Sequence, residues 1–171
     1  MLSLSDNEFA VINFLVRNFY EKLTIRSIAL RLKFSPAGVY NILKKLEKEG
    51  ITKSEKLGTG LFYSINFENK IALHLASIVL LHSSDKIDAA NFSKIPGENV
   101  IFALKKKLLV VGNISSLDLM IEGFEISSKS KEEFVECIKS KEKTCVEFLS
   151  DGAVVSGEGI IVEIIKSMVK R

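Results

Sequence analysis

The sequence is poor in the residues that mark several whole classes of protein. It has no tryptophan, and only two prolines, two cysteines and two histidines among 171 residues. So little proline excludes a polyproline rod or a proline-rich linker. So few cysteines and histidines exclude a disulfide-stapled scaffold and a zinc cluster of paired Cys and His motifs. Long apolar runs are missing as well: the longest, 71–81, is broken by His74 and Ser77 and falls well short of the ~20 residues that span a bilayer. The opening MLSLSD has no basic stretch ahead of an apolar core, so no secretory signal is visible, and a cytoplasmic protein without a membrane partner is expected. Cys137 and Cys145 have no CxxC or Cys/His companion, which predicts free thiols in that reducing compartment. His74 and His82 lack the i, i+4 spacing of a helical zinc pair, and neither a metal nor a cofactor is expected.

What is present is enough to build cores. Hydrophobic residues make up 47% of the chain and charged residues 26%, which excludes a disordered class. The net charge of +3 is unevenly spread: residues 1–67 carry ten Lys/Arg against six Asp/Glu, whereas residues 68–171 carry fourteen against fifteen. A basic excess confined to the first part favours a nucleic-acid partner there.

Hydrophobic spacing divides that first part into three helices and a hairpin. Ser5 or Asp6 caps a helix with Phe9, Ile12, Phe14, Leu15 and Val16 inward, ending near Phe19 or Tyr20. Thr24 caps a short second helix, with Ile25, Ile28, Ala29 and Leu32 recurring at helical spacing. Ser35-Pro36 opens a third, buried along Val39, Ile42, Leu43 and Leu46 and stopped by Gly50. Two extended runs, 51–57 and 61–67, flank Gly58-Thr59-Gly60 and read as a hairpin. That GTG triplet joins strands rather than opening a helix, so it is no phosphate loop.

The stretch SIALRLKFSPAGVYNILKKLEKEGITKSEKLGTGLFYSI resembles the winged helix-turn-helix of bacterial and archaeal transcriptional regulators. The resemblance implies a DNA-binding regulator working as a homodimer, with the recognition helix Pro36 to Glu49 in the major groove and the wing Ile51 to Phe67 on the backbone. On the open face of that helix Tyr40 and Asn41 are expected to meet base edges, with Ala37 and Gly38 permitting close approach. Lys44, Lys45, Lys53, Lys56 and Arg26 are expected at phosphates, and Ser35 and Thr59 complete the DNA-binding set.

A helix from Asn69 to about His82 is apolar on nearly every side and should be buried all round. Pairing with its twin through Ile71, Leu75, Ile78 and Val79 is the expected dimer interface. Ser83 to Asn99, containing Pro96-Gly97, is the linker candidate. The organisation expected is therefore a winged helix at 1–67, an apolar helix and linker at 68–98, and an α/β domain at 99–171, in an α+β chain.

In the last part, β-prone runs at 100–104 and 108–111 surround Lys105-Lys106-Lys107, and a further strand is expected from 117–121 with 124–126. Helices follow at 131–140 and 144–149, then a strand at 153–156 and a closing helix at 159–169. EEFVECIKSKEKTCVEFLSDGAVVSGEGIIVEIIK resembles the closing part of small archaeal nucleotidyltransferase-fold domains that are fused behind winged helices. The resemblance implies the fold but not the activity. Ala103-Leu104 stand where Gly-Ser would hold a triphosphate, and Lys107 or Leu108 stands where metal-binding aspartates belong. Nucleotidyl transfer needs several carboxylates around Mg²⁺, and Asp118 alone does not supply them. Ser156, in VVSGEG, lacks the glycine two residues before a nucleophile elbow. No catalytic residue is expected. A divergent nucleotidyltransferase and a protein-interaction adaptor are the alternative readings.

Overall fold

The computed structural model describes residues 4–82, 99–113 and 121–169. The chain divides into two compact units, Met1–Val79 and Leu80–Arg171.

In the first unit, α1 (Asp6–Arg17), α2 (Ile25–Leu32) and α3 (Pro36–Lys48) precede a hairpin of β1 (Thr52–Leu57) and β2 (Gly60–Ile65). This is the order of three helices and a hairpin expected from the pattern. Each helix begins where a hydroxyl satisfies orphan amides. Ser5 and Thr24 form reciprocal capping boxes with Glu8 and Ser27, and the Ser35 hydroxyl accepts from the Gly38 amide. Such caps each contribute about 1 kcal/mol. α1 stops at Arg17 rather than near Phe19 or Tyr20: Asn18 leaves helical geometry at φ −112° and ψ 28°, and its side-chain amide donates to the Phe14 carbonyl as a cap. Gly50 takes φ 72° after α3, as its position predicted. Val11, Ile12, Leu15, Ile28, Val39, Leu43 and Leu46 are buried and form the centre of this unit.

Strict alternation settles which face of the wing turns inward. Thr52, Ser54, Lys56, Leu61, Tyr63 and Ile65 share one face, and Lys53, Glu55, Phe62 and Ser64 share the other. The first face lies on the helices: Thr52, Tyr63 and Ile65 are buried, and the Tyr63 amide donates to the Leu23 carbonyl at 2.8 Å. The turn between the strands is two residues long, Gly58-Thr59, because Gly60 already pairs with Leu57.

α4 (Lys70–His82) follows. The expectation of burial all round is corrected. Ala72, Leu75, Ala76, Val79 and Leu80 are buried, whereas Ile71 and Ile78 are each about half exposed and Leu81 is also open. Two of the four expected dimer residues, Leu75 and Val79, are thus already enclosed within the chain. Of the linker candidate Ser83 to Asn99, residues 83–98 lie outside the described residues, and Asn99 is buried.

The second unit is built on a four-stranded sheet of order β5-β4-β3-β6, comprising β3 (Val100–Leu104), β4 (Lys107–Val111), β5 (Glu125–Lys129) and β6 (Ala153–Ser156). β3 pairs antiparallel with β4 and β6, while β4 and β5 run parallel. The lysine triplet does not form the whole hairpin tip: Lys107 belongs to β4 opposite Leu104, and Lys105 turns the chain at φ 57°. Of the strand expected at 117–121 with 124–126, residues 121–124 are not in a strand and β5 begins at Glu125, whereas residues 117–120, Asp118 included, lie outside the described residues. α5 (Lys131–Lys139), α6 (Lys143–Asp151) and α7 (Glu158–Val169) complete the unit, with Phe134 of α5 stacked on Phe102 of β3 at 5.7 Å.

The expected free thiols are also corrected: Cys137 and Cys145 form a disulfide. The physical reason is the corner between α5 and α6. Lys141 takes φ 55° and folds the two helices together, leaving the cysteine Cα atoms 6.1 Å apart, within the span a disulfide bridges. Among the described residues no helix is long and apolar enough to cross a membrane.

Candidate nucleic-acid interface

The face of α3 opposite its buried stripe is continuous and polar. Ala37, Asn41, Lys44 and Lys48 follow one another at steps of four, three and four, and all four are exposed. Tyr40 stands on the wing side of this line, about half exposed, with the Lys44 ammonium 5.9 Å from its ring centroid. The helix starts at Pro36 behind the Ser35 cap, whose hydroxyl accepts from the Gly38 amide. Asn41 therefore sits in the second turn, where a helix entering the major groove presents base-reading side chains.

The expected residues do not all arrive in one place. Ser35 is exposed, but its hydroxyl is engaged as the cap of α3, 3.0 Å from the Gly38 nitrogen. Gly38 lies to the flank of the exposed line, and a Cβ there would stand 3.0 Å from the Ser35 Oγ, so the glycine serves the cap directly. Arg26 is exposed on α2. Thr59 is exposed at the wing turn. Lys53 and Lys56 are both exposed but stand on opposite faces of the hairpin, being three residues apart on a strand, so one flat surface cannot meet both squarely.

Two of the lysines are held by carboxylates. The Lys45 ammonium lies 2.7 Å from Glu8, whose other oxygen accepts the Ser5 amide at 2.8 Å. One carboxylate therefore caps α1 and ties it to α3. Burial raises the Glu8 pKa, but the bonds from Lys45 and Ser5 outweigh it and the group is held below its ordinary value. Lys44 lies 3.3 Å from Glu47, and the Ser54 hydroxyl of the wing donates to the other oxygen of that carboxylate. The Ser54 bond acts most strongly and, with Lys44, lowers the Glu47 pKa against the effect of burial.

Lys48 was not singled out from the sequence as a contact, although the helical period places it in line with Ala37, Asn41 and Lys44. It is exposed, with no carboxylate within salt-bridge distance among the described residues. The Glu8–Lys45 tie carried half a signal, since Ser5-x-x-Glu8 has the form of a capping box, but nothing local announced the lysine 37 residues on.

The four positions compared with nucleotidyltransferase motifs lie on paired strands. Ala103 faces Leu108 and Leu104 faces Lys107 across the β3–β4 ladder, and both Ala103 and Leu108 are buried.

No known protein family matches the sequence, and no curated protein does. Among solved structures the chain is similar to a mutant of ZitR from Lactococcus lactis, with 23% identity and a TM-score of 0.39. The match takes in 50% of this chain and 54% of that one.

Proposed function

We propose that the protein is a DNA-binding transcriptional regulator acting as a homodimer, with α3 in the major groove and the wing beside the backbone. The exposed line Ala37-Asn41-Lys44-Lys48, free of large apolar residues and flanked by Tyr40, is the observation that carries this reading. Asn41 is the base-reading residue, since its amide pairs bidentately with adenine. Lys48, Arg26 and whichever of Lys53 and Lys56 faces the duplex supply phosphate contacts. A dimer places two such helices about 34 Å apart, one turn of DNA, or a multiple of it.

The dimer seam in this proposal runs along α4. Ile71, His74, Ile78 and Leu81 are all exposed and follow one another at steps of three, four and three, the spacing by which two helices interdigitate. Ile71 and Ile78 keep the role expected of them, and His74 and Leu81 replace the enclosed Leu75 and Val79.

Residues 99–171 are assigned here to assembly or regulation and not to catalysis, as a degenerate relative of the nucleotidyltransferase fold. Burial of Leu108 supports this, because a side chain enclosed in a sheet does not mark a metal-binding rim. Labelled nucleotides with Mg²⁺ or Mn²⁺ should give no transfer to nucleic acid or protein, and any transfer would overturn the assignment.

The DNA-binding reading is tested by fluorescence anisotropy on duplex DNA. Binding at low salt, with the logarithm of affinity falling linearly against the logarithm of salt, is expected. No binding at about 50 mM salt would refute it.

A further inference from the structure

Glu47 occupies a singular place on the proposed interface. It is an acid on a helix face that meets a polyanion, and it lies between the recognition helix and the wing. Its carboxylate takes the Ser54 hydroxyl from β1 on one oxygen and stands 3.3 Å from Lys44 on the other. Behind it on the inward face of the wing is Tyr63, 2% exposed, with its hydroxyl unpartnered. Burial, and after it the charge of Glu47, pushes that phenol up.

An exposed lysine–carboxylate pair is weak and would by itself yield to a phosphate. The difference here is that Ser54 anchors the carboxylate. A phosphate drawing Lys44 away would come to rest beside a negative charge that cannot swing clear. Lys44 and Glu47 thus present no net charge to DNA, although Lys44 stands in the middle of the exposed line.

We infer that Glu47 is a specificity-determining residue, which positions the wing through Ser54 and cancels Lys44 as a phosphate contact. It lowers binding that is independent of sequence, so that discrimination rests on Asn41 and Tyr40. This inference rests on the DNA-binding reading proposed above.

The test is anisotropy of the full chain on a random-sequence duplex between about 50 and 200 mM salt. Glu47→Gln keeps an acceptor for Ser54 and removes the charge. It should bind more tightly and steepen the salt slope by about 0.9, an extra loss of about 3.5-fold over that fourfold rise in salt. Ser54→Ala frees the Glu47 carboxylate to swing clear and should steepen the slope in the same direction, and an unchanged slope in that variant overturns the anchoring role. Lys44→Gln in the otherwise natural chain should leave the slope unchanged, whereas Lys48→Gln should flatten it by about 0.9. A wild-type slope in Glu47→Gln, or a flattened slope in Lys44→Gln, overturns the inference while the DNA-binding reading stands. Absence of binding by the wild-type chain at about 50 mM salt overturns that reading and the inference with it. If Glu47→Gln does not fold, the Lys44→Gln slope decides.

Discussion

Glu8 offers a direct test of how the first unit is held together, because one carboxylate does two jobs. It closes the capping box of α1 on the Ser5 amide and receives the Lys45 ammonium of α3 at 2.7 Å. The side chain is 9% exposed, whereas that of Lys45 is 44% exposed. Removing Glu8 therefore leaves the lysine free to turn into water and does not strand a buried charge. Glu8→Gln retains an acceptor but removes the carboxylate charge, so the Ser5 bond becomes neutral and the Lys45 ammonium loses its counter-charge, and hydrogen bonds to a charged group exceed neutral ones by about 1–1.5 kcal/mol. Glu8→Ala loses both and should cost about 2–4 kcal/mol.

The pH dependence has a definite sign. A carboxyl whose folded pKa is lowered contributes stability that is fully present above its unfolded value, near 4.5, and is lost as pH falls through the folded value. The difference between wild type and Glu8→Gln should thus be full at about pH 7 and shrink below the unfolded value of 4.5. A convenient probe exists, because the chain lacks tryptophan and its three tyrosines, Tyr20, Tyr40 and Tyr63, all lie in the first unit. Urea unfolding followed by tyrosine fluorescence reports that unit alone. A Glu8→Gln loss below about 0.5 kcal/mol at about pH 7, or one equally large at about pH 3, would refute the reasoning.

Other substitutions probe other joints. Ser35→Ala removes the cap of α3 and should lower stability by about 1 kcal/mol in the same tyrosine-detected titration. Ile78→Glu places a charge in the middle of the exposed α4 line and should convert the dimer to a monomer in light scattering, with little change in the helical signal. Alkylation of the unreduced, denatured chain should find no free thiol. Reduction should then destabilise the α5–α6 corner by up to about 2.5 kcal/mol, the loop entropy for a closure of this length, read as faster amide exchange there.

The first unit was legible because its instructions are local. Ser5, Thr24 and Ser35 stand immediately before periodic apolar residues, Pro36 occupies a first helical position, and Gly50 ends the third helix. Each of these acts within about four residues of itself. The open face of α3 followed from the same period. What the pattern did not disclose is where its charges go. The partner of Lys45 is on another helix, and the clamp on Lys44 passes through a serine on the wing, so both lysines read as free cations.

Distance in sequence explains the other corrections as well. Cys137 and Cys145 meet only because Lys141 adopts a left-handed backbone, for which lysine carries no composition signal. The apolar excess of α4 spoke for burial, but not for how its faces divide between the chain and solvent. In the second unit β3, β4 and β6 were legible as apolar runs, 153–156 to the residue, whereas β5, with only one apolar residue, was not. Their order was not, since pairing β3 with both β4 and β6 depends on contacts about fifty residues apart.

The central claim is that α3 reads DNA through Asn41. The most direct measurement is selection of binding sites from a pool of random duplexes by the wild-type chain and by Asn41→Ala. A repeated half-site is predicted for the wild type, its copies separated by one turn of DNA or a multiple. Asn41→Ala should relax the preference at a single base position, by about 1–3 kcal/mol, and leave the salt slope unchanged. Enrichment of no sequence by the wild type, or an identical half-site from both chains, would contradict it.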